Sequence, residues 1–167
     1  MLKTTDFYYG AFLSVLLNYA NKKPSLFDKT DSRRIYRITT ENSKKDYMIF
    51  TKAVNEQKNK ANTFHHWIFN FTNDEIITLQ KLHNEYGNVK VSLICFTDEL
   101  KDGEVALIDY DQAMECMGVT KNIVPYRLNI KAVGGKHGLK MYGSGRSDKL
   151  DGKDNTISLQ RNALKAL

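Results

Sequence analysis

Apolar residues recur along this chain with two different periods. Between Thr5 and Tyr19 they fall at Tyr8, Phe12, Val15, Leu16 and Tyr19, the spacing of one helix face. Thr4 or Thr5 can cap that helix, and Asp6 suits its positive N-terminal end. Asn18 to Pro24 end it, with Pro24 setting an extended exit. From Arg33 the period becomes two. Arg33–Thr40 and Asp46–Val54 are rich in β-branched and aromatic residues, and the polar Glu41-Asn42-Ser43-Lys44-Lys45 between them predicts a hairpin. Alternation puts Ile35 and Arg37 on one face and Arg34, Tyr36 and Ile38 on the other.

The densest apolar sequence runs from Trp67 to Tyr110. Trp67, Phe69 and Phe71 alternate with Ile68 and Asn70, which predicts a strand with a buried aromatic face. Thr72-Asn73-Asp74-Glu75 reads as a capping box, followed by a helix with Ile76, Leu79, Leu82 and Tyr86 on one stripe and Gly87 as its cap. Val89–Phe96 is apolar except at Lys90 and Ser92, the pattern of a central strand buried on both faces. Glu104–Asp109 pairs back against it. A short helix then starts at Asp109, turns Met114 and Met117 inward and stops at Gly118.

A second hairpin, Arg127–Val133 with Leu139–Tyr142, flanks the glycine-rich 134–138. Residues 143–155, rich in Gly, Ser and charge, predict a mobile loop. Thr156–Leu167 predicts a last helix with Ile157, Leu164 and Leu167 apolar. Together these elements predict one α+β domain over residues 1–167. It has a mixed or mostly antiparallel sheet of about six to seven strands, with two main helices packed on it. If Trp67–Phe71 and Val89–Phe96 are parallel, the helix between them makes a right-handed crossover.

Composition narrows the class. Of 167 residues, 41% are hydrophobic and 11% aromatic, enough for a core and unlike a disordered tail. The longest apolar run, Leu13–Leu17 with Ser14 inside it, falls short of the roughly 20 residues a membrane span needs. No small-residue cleavage site follows it. Cys95 and Cys116 sit in apolar surroundings and form no C-x-x-C pair. The expectation is a cytoplasmic protein with no membrane partner, no cofactor and no metal site. Charge is laid out in three blocks. Residues 1–66 hold 12 Lys+Arg against 6 Asp+Glu, residues 67–118 hold 3 against 10, and residues 119–167 hold 10 against 3. Such asymmetry bears on partners rather than on fold.

No motif of high specificity occurs. Gly134-Gly135-Lys136 lacks the earlier glycine of a phosphate loop, where Ile130 stands, and the following Ser/Thr, where His137 stands. Gly143-Ser144-Gly145-Arg146 offers amides and a guanidinium to a phosphate. His65 and His66 point to opposite faces of a strand and cannot share a metal there. Asp109 and Asp111, with Glu115 nearby, sit at a strand end as the carboxylates of metal-dependent nucleases do. The Glu-x-Lys that would complete that pattern is missing: Lys52 lies on a suitable strand, but Phe50 precedes it by two.

Three functions follow. The first is a small non-catalytic nucleic-acid-binding or regulatory protein acting on DNA or RNA through its basic hairpins. Its contact residues are Arg33, Arg34, Arg37, Lys44 and Lys45 on one hairpin, Arg127, Lys131, Lys136 and Lys140 on the other, and Arg146. Tyr36, Tyr47 and Tyr142 would stack on bases. The second is an inhibitor or accessory module that engages a basic protein through Glu99, Asp102 and Glu104. The third is a divergent metal-dependent nuclease built on Asp109 and Asp111.

Overall fold

The computed structural model describes residues 1–18, 22–40, 46–58, 64–98, 103–135 and 138–167. In chain order the elements are α1 (Thr4–Leu17), β1 (Lys22–Lys29), β2 (Arg34–Thr40), β3 (Tyr47–Asn55), β4 (Phe64–Phe71), α2 (Asn73–Tyr86), β5 (Val89–Phe96), β6 (Glu104–Asp109) and α3 (Tyr110–Met117). They continue with β7 (Tyr126–Val133), β8 (Gly138–Gly143), β9 (Lys149–Leu150), β10 (Lys153–Asp154) and β11 (Ile157–Gln160), ending in a 3-10 turn at Ala163–Ala166. The fold is α+β, and it is built on two sheets rather than one. A mixed sheet has the order β1-β2-β3-β5-β6, and an antiparallel sheet has the order β11-β8-β7-β4.

The two sheets follow from how each strand distributes its apolar residues. β5 is apolar on both faces, so it takes an interior place in the mixed sheet, between β3 and β6, with a core on each side. On one side Tyr9, Phe12 and Leu16 of α1 pack on Tyr36, Ile38, Ile49, Ile94 and Phe96. On the other side Met48, Phe50, Val91, Leu93 and Cys95 meet Trp67, Phe69, Leu128, Ile130, Leu139 and Met141 of the second sheet. The inward residues of α2 and α3 join that same core. β4 has only one apolar face, so it suits a sheet with one side open to solvent. It pairs with β7, not with β5. The strand–helix–strand step is therefore no crossover within one sheet. It carries the chain from one sheet to the other, and β5 lies parallel to β3 instead.

Three other expectations need correction. Asp6, not Thr4 or Thr5, closes the start of α1: its carboxylate accepts the Lys3 N–H at 2.9 Å. The extended exit read at Pro24 is part of an edge strand, β1. Pro24, flanking lysines and a bulge between Leu26 and Asp28 all blunt that open edge. Tyr36, expected to stack on bases, is buried beneath α1 at 1% exposure. The last helix is replaced by β11, which extends the antiparallel sheet through β8. Leu164 then buries itself in the core under α1.

An ion pair fixes the N-terminus of α2 to β3. Lys52 Nζ donates to both carboxylate oxygens of Glu75, at 2.8 and 2.7 Å, and to the Asn70 carbonyl at 2.8 Å. Glu75 completes the capping box by accepting the Thr72 N–H at 3.0 Å, and it also accepts the Ser32 hydroxyl at 2.8 Å. Both ionic side chains are buried. The charges are thus fully hydrogen-bonded, as burial requires.

Residues 143–155 form hydrogen-bonded turns and the β9–β10 ribbon. The segment starts in close contact with α3: the Gly145 N–H bonds to the Cys116 carbonyl at 2.9 Å. A Cβ on Gly145 would collide with the Glu115 carbonyl oxygen and lie 2.5 Å from the Gly118 Cα. Gly145→Ala is expected to cost about 1–3 kcal/mol in urea unfolding, because backbone must move to admit the methyl. Gly134→Ala, where an added Cβ meets nothing within 4 Å, should stay within about 0.5 kcal/mol of the parent.

Candidate nucleic-acid interface

The antiparallel sheet presents one face to the core and one outward. Register decides which residues share the outward face. His66 stands opposite Lys131, Lys131 opposite Lys140, and Lys140 opposite Ser158. In the adjoining row Ile68 stands opposite Asn129 and Asn129 opposite Tyr142. Phe64–Val133 and Asn70–Arg127 flank these rows. Alternation along β4, β7 and β8 sends their partners Trp67, Phe69, Leu128, Ile130, Leu139 and Met141 inward. Arg127, Lys131 and Lys140, chosen from the sequence for the second hairpin, therefore do share one surface.

Aromatic rings lie among these cations. Lys131 Nζ sits 4.8 Å from the Tyr142 ring centroid and 5.1 Å from that of Phe64. His66 lies between them, 6.1 Å from Tyr142 and 6.2 Å from Phe64. Its Nε2 is 3.1 Å from Asn129 Oδ1 and 3.2 Å from the Tyr142 hydroxyl. Burial lowers the His66 pKa below its ordinary value and the nearby Lys131 charge adds to that, while the Asn129 hydrogen bond opposes it. At neutral pH the ring is thus an uncharged, held platform. Arg127 Nε donates to Asn70 Oδ1 at 3.0 Å, and Lys140 Nζ to the Ser158 hydroxyl at 3.0 Å.

No family model, curated protein or solved structure is significantly similar to this chain.

The other candidates are dispersed. On the first hairpin three cations enter three different surroundings. Arg33 is buried over the Phe50 ring and paired with Asp28 at 2.9 Å. Arg34 lies over the Tyr9 ring of α1, 4.4 Å from its centroid, and pairs with Asp6 at 3.0 Å. Arg37 pairs with Asp46 at 2.6 Å at the surface. Arg146 does not reach outward for a phosphate; its Nε donates to the Asn155 carbonyl at 2.6 Å, bracing the 143–155 segment. Glu104 faces Arg161 at 3.2 Å. Lys44, Lys45, Lys136, Glu99 and Asp102 lie outside the described residues, as does the expected turn 41–45.

Asp109 and Asp111 line a cavity of about 410 Å³ with Lys90, His83 and Tyr110. Asp109 pairs with Lys90 and makes no side-chain bond to the start of α3. Among the described residues, no three His, Cys, Asp or Glu side chains are grouped to hold a metal. Both cysteines are free and buried, in keeping with the apolar surroundings read from the sequence. Burial raises the Cys95 thiol well above its ordinary pKa and pushes Cys116 to about 11, so neither is a thiolate at neutral pH.

Phe64 and His66 were missed as members of the outward face, as was Asn129, which lies buried on it. Their signal was available: each has the opposite parity to the Trp67–Phe69–Phe71 or Leu128–Ile130 core residues of its own strand. What could not be read was that β4 pairs with β7, which brings the two sets side by side.

Proposed function

We propose that the protein is a small non-catalytic nucleic-acid-binding protein whose contact surface is the outward face of the antiparallel sheet. The observation that carries this reading is the union of Arg127, Lys131 and Lys140 with the Phe64, His66 and Tyr142 rings on one face. Lysine and arginine displace counterions from phosphates, and rings give bases a stacking partner. No helix among the described residues is long and apolar enough to cross a membrane. We take the compartment to be the cytoplasm, where two buried free thiols stay reduced.

Wild-type protein should bind mixed-sequence oligonucleotides at low salt in fluorescence anisotropy. Combined Arg127→Gln, Lys131→Gln and Lys140→Gln should weaken binding by on the order of 100-fold, since each phosphate contact contributes salt-dependent affinity. Combined Arg34→Gln and Arg37→Gln should change it less than about threefold, because both arginines stand on β2 of the other sheet and do not share this face. Equal losses in the two variants would refute the assignment to this face.

A further inference from the structure

Lys131 and Lys140 are direct cross-strand neighbours. Like charges in that relation repel. Two carboxylates from the 143–155 segment answer them. Asp148 Oδ2 lies 3.4 Å from Lys131 Nζ, and Asp154 Oδ2 lies 3.2 Å from Lys140 Nζ. Asp154 is itself held by the Thr156 hydroxyl at 2.5 Å and the Thr156 N–H at 2.9 Å. The Asp148 contact is long for a charge-assisted bond. Lys131 spends the rest of its charge on two ring faces, which are weak partners compared with an anion. Both acids remain largely open, with side chains 44% and 58% exposed, while the lysines beneath are 22% and 31% exposed.

Resting on the nucleic-acid reading above, we infer that the ligand is a single strand, and that Asp148 and Asp154 are internal phosphate mimics which the strand displaces. A phosphate arriving at Lys131 gives the ammonium a stronger partner than the rings. The ammonium turns to it, and the faces of Tyr142 and Phe64 are left free for bases. Only unstacked bases present those faces, so a duplex gains the charge contacts without the stacking. The surface is also a pleated sheet face, not a projecting helix or ribbon of the kind that enters a major groove. The 143–155 segment then sets the affinity: it keeps the lysines neutralised until a polyanion competes.

The test uses the full chain with a mixed-sequence strand of about 12 nucleotides, a length within one binding site, and the same sequence as duplex. Wild type should bind the single strand at least about tenfold tighter than the duplex, the share expected from one or two stacked bases. Combined Asp148→Asn and Asp154→Asn should tighten single-strand binding severalfold, with far-UV circular dichroism unchanged. Tyr142→Leu should lose on the order of tenfold in single-strand binding while Tyr142→Phe keeps it, since the ring and not the hydroxyl is used. Duplex bound as well as single strand, or affinity unmoved by the Asp→Asn pair, would overturn this inference and leave the nucleic-acid reading standing. Absence of binding to either form in every variant would overturn both.

Discussion

Glu75→Ala is expected to destabilise the protein by about 3–5 kcal/mol, with a fall in Tm on the order of 10 °C. The reason is asymmetry. Removing the carboxylate leaves the Lys52 ammonium in a site where its side chain is 8% exposed, with the Asn70 carbonyl and the Phe71 ring face as its remaining partners among the described residues. The Thr72 N–H loses its cap, and the Ser32 hydroxyl its acceptor. Replacing both members together, with Lys52→Met and Glu75→Leu, should recover most of the loss, because two apolar side chains need no partner. Urea unfolding followed by circular dichroism reads both. A loss under about 1 kcal/mol for Glu75→Ala would mean that water reaches the pair in solution.

Trp67→Ala should cost about as much, 3–5 kcal/mol, through a different mechanism. Trp67 is fully buried at the meeting of the two sheets, and its Nε1–H donates to the Phe96 carbonyl at 2.8 Å. That bond ties β4 of one sheet to the end of β5 of the other. Truncation to Ala empties the largest side-chain volume in the core. Trp67→Phe keeps most of the packing and drops the N–H. The Phe96 carbonyl retains the Glu56 N–H at 2.8 Å, so no buried acceptor is orphaned and the cost should be near 1 kcal/mol. Equal losses for the two variants would show that the hydrogen bond, not the filled volume, couples the sheets.

These two residues also show what could be read from the chain. The buried aromatic face of β4 and the capping box at Thr72–Glu75 were legible, because a period of two and a four-residue cap are local patterns. The second partner of Glu75 was not. Lys52 sits 23 positions away in sequence, and nothing in its own strand announces a buried cation. The outward and inward sets of β7 and β8 were equally plain by parity, and Arg127, Lys131 and Lys140 stand together on the hairpin those strands form. The three arginines of the first hairpin were named together as contacts, although parity already set Arg34 apart from Arg37. Arg33 and Arg34 alternate to opposite sides of the mixed sheet, and α1 folds over one of those sides. Which strand pairs with which is set by long-range contacts. A pattern read strand by strand therefore predicted one sheet where the described residues form two large ones and the small β9–β10 ribbon. The acids that neutralise Lys131 and Lys140 lay hidden for the same cause, 17 and 14 residues downstream in a segment with no periodicity of its own.

The sheet-face account is tested most directly by the salt dependence of binding. A single-stranded oligonucleotide would be titrated with the protein from about 50 to 300 mM salt. With Arg127, Lys131 and Lys140 each engaging a phosphate, log affinity should fall against log salt with a slope of about −2. The slope should move toward zero by about 0.7 for each of the three residues neutralised. A slope that stays the same when all three are changed to Gln, or no binding at 50 mM salt, would contradict it.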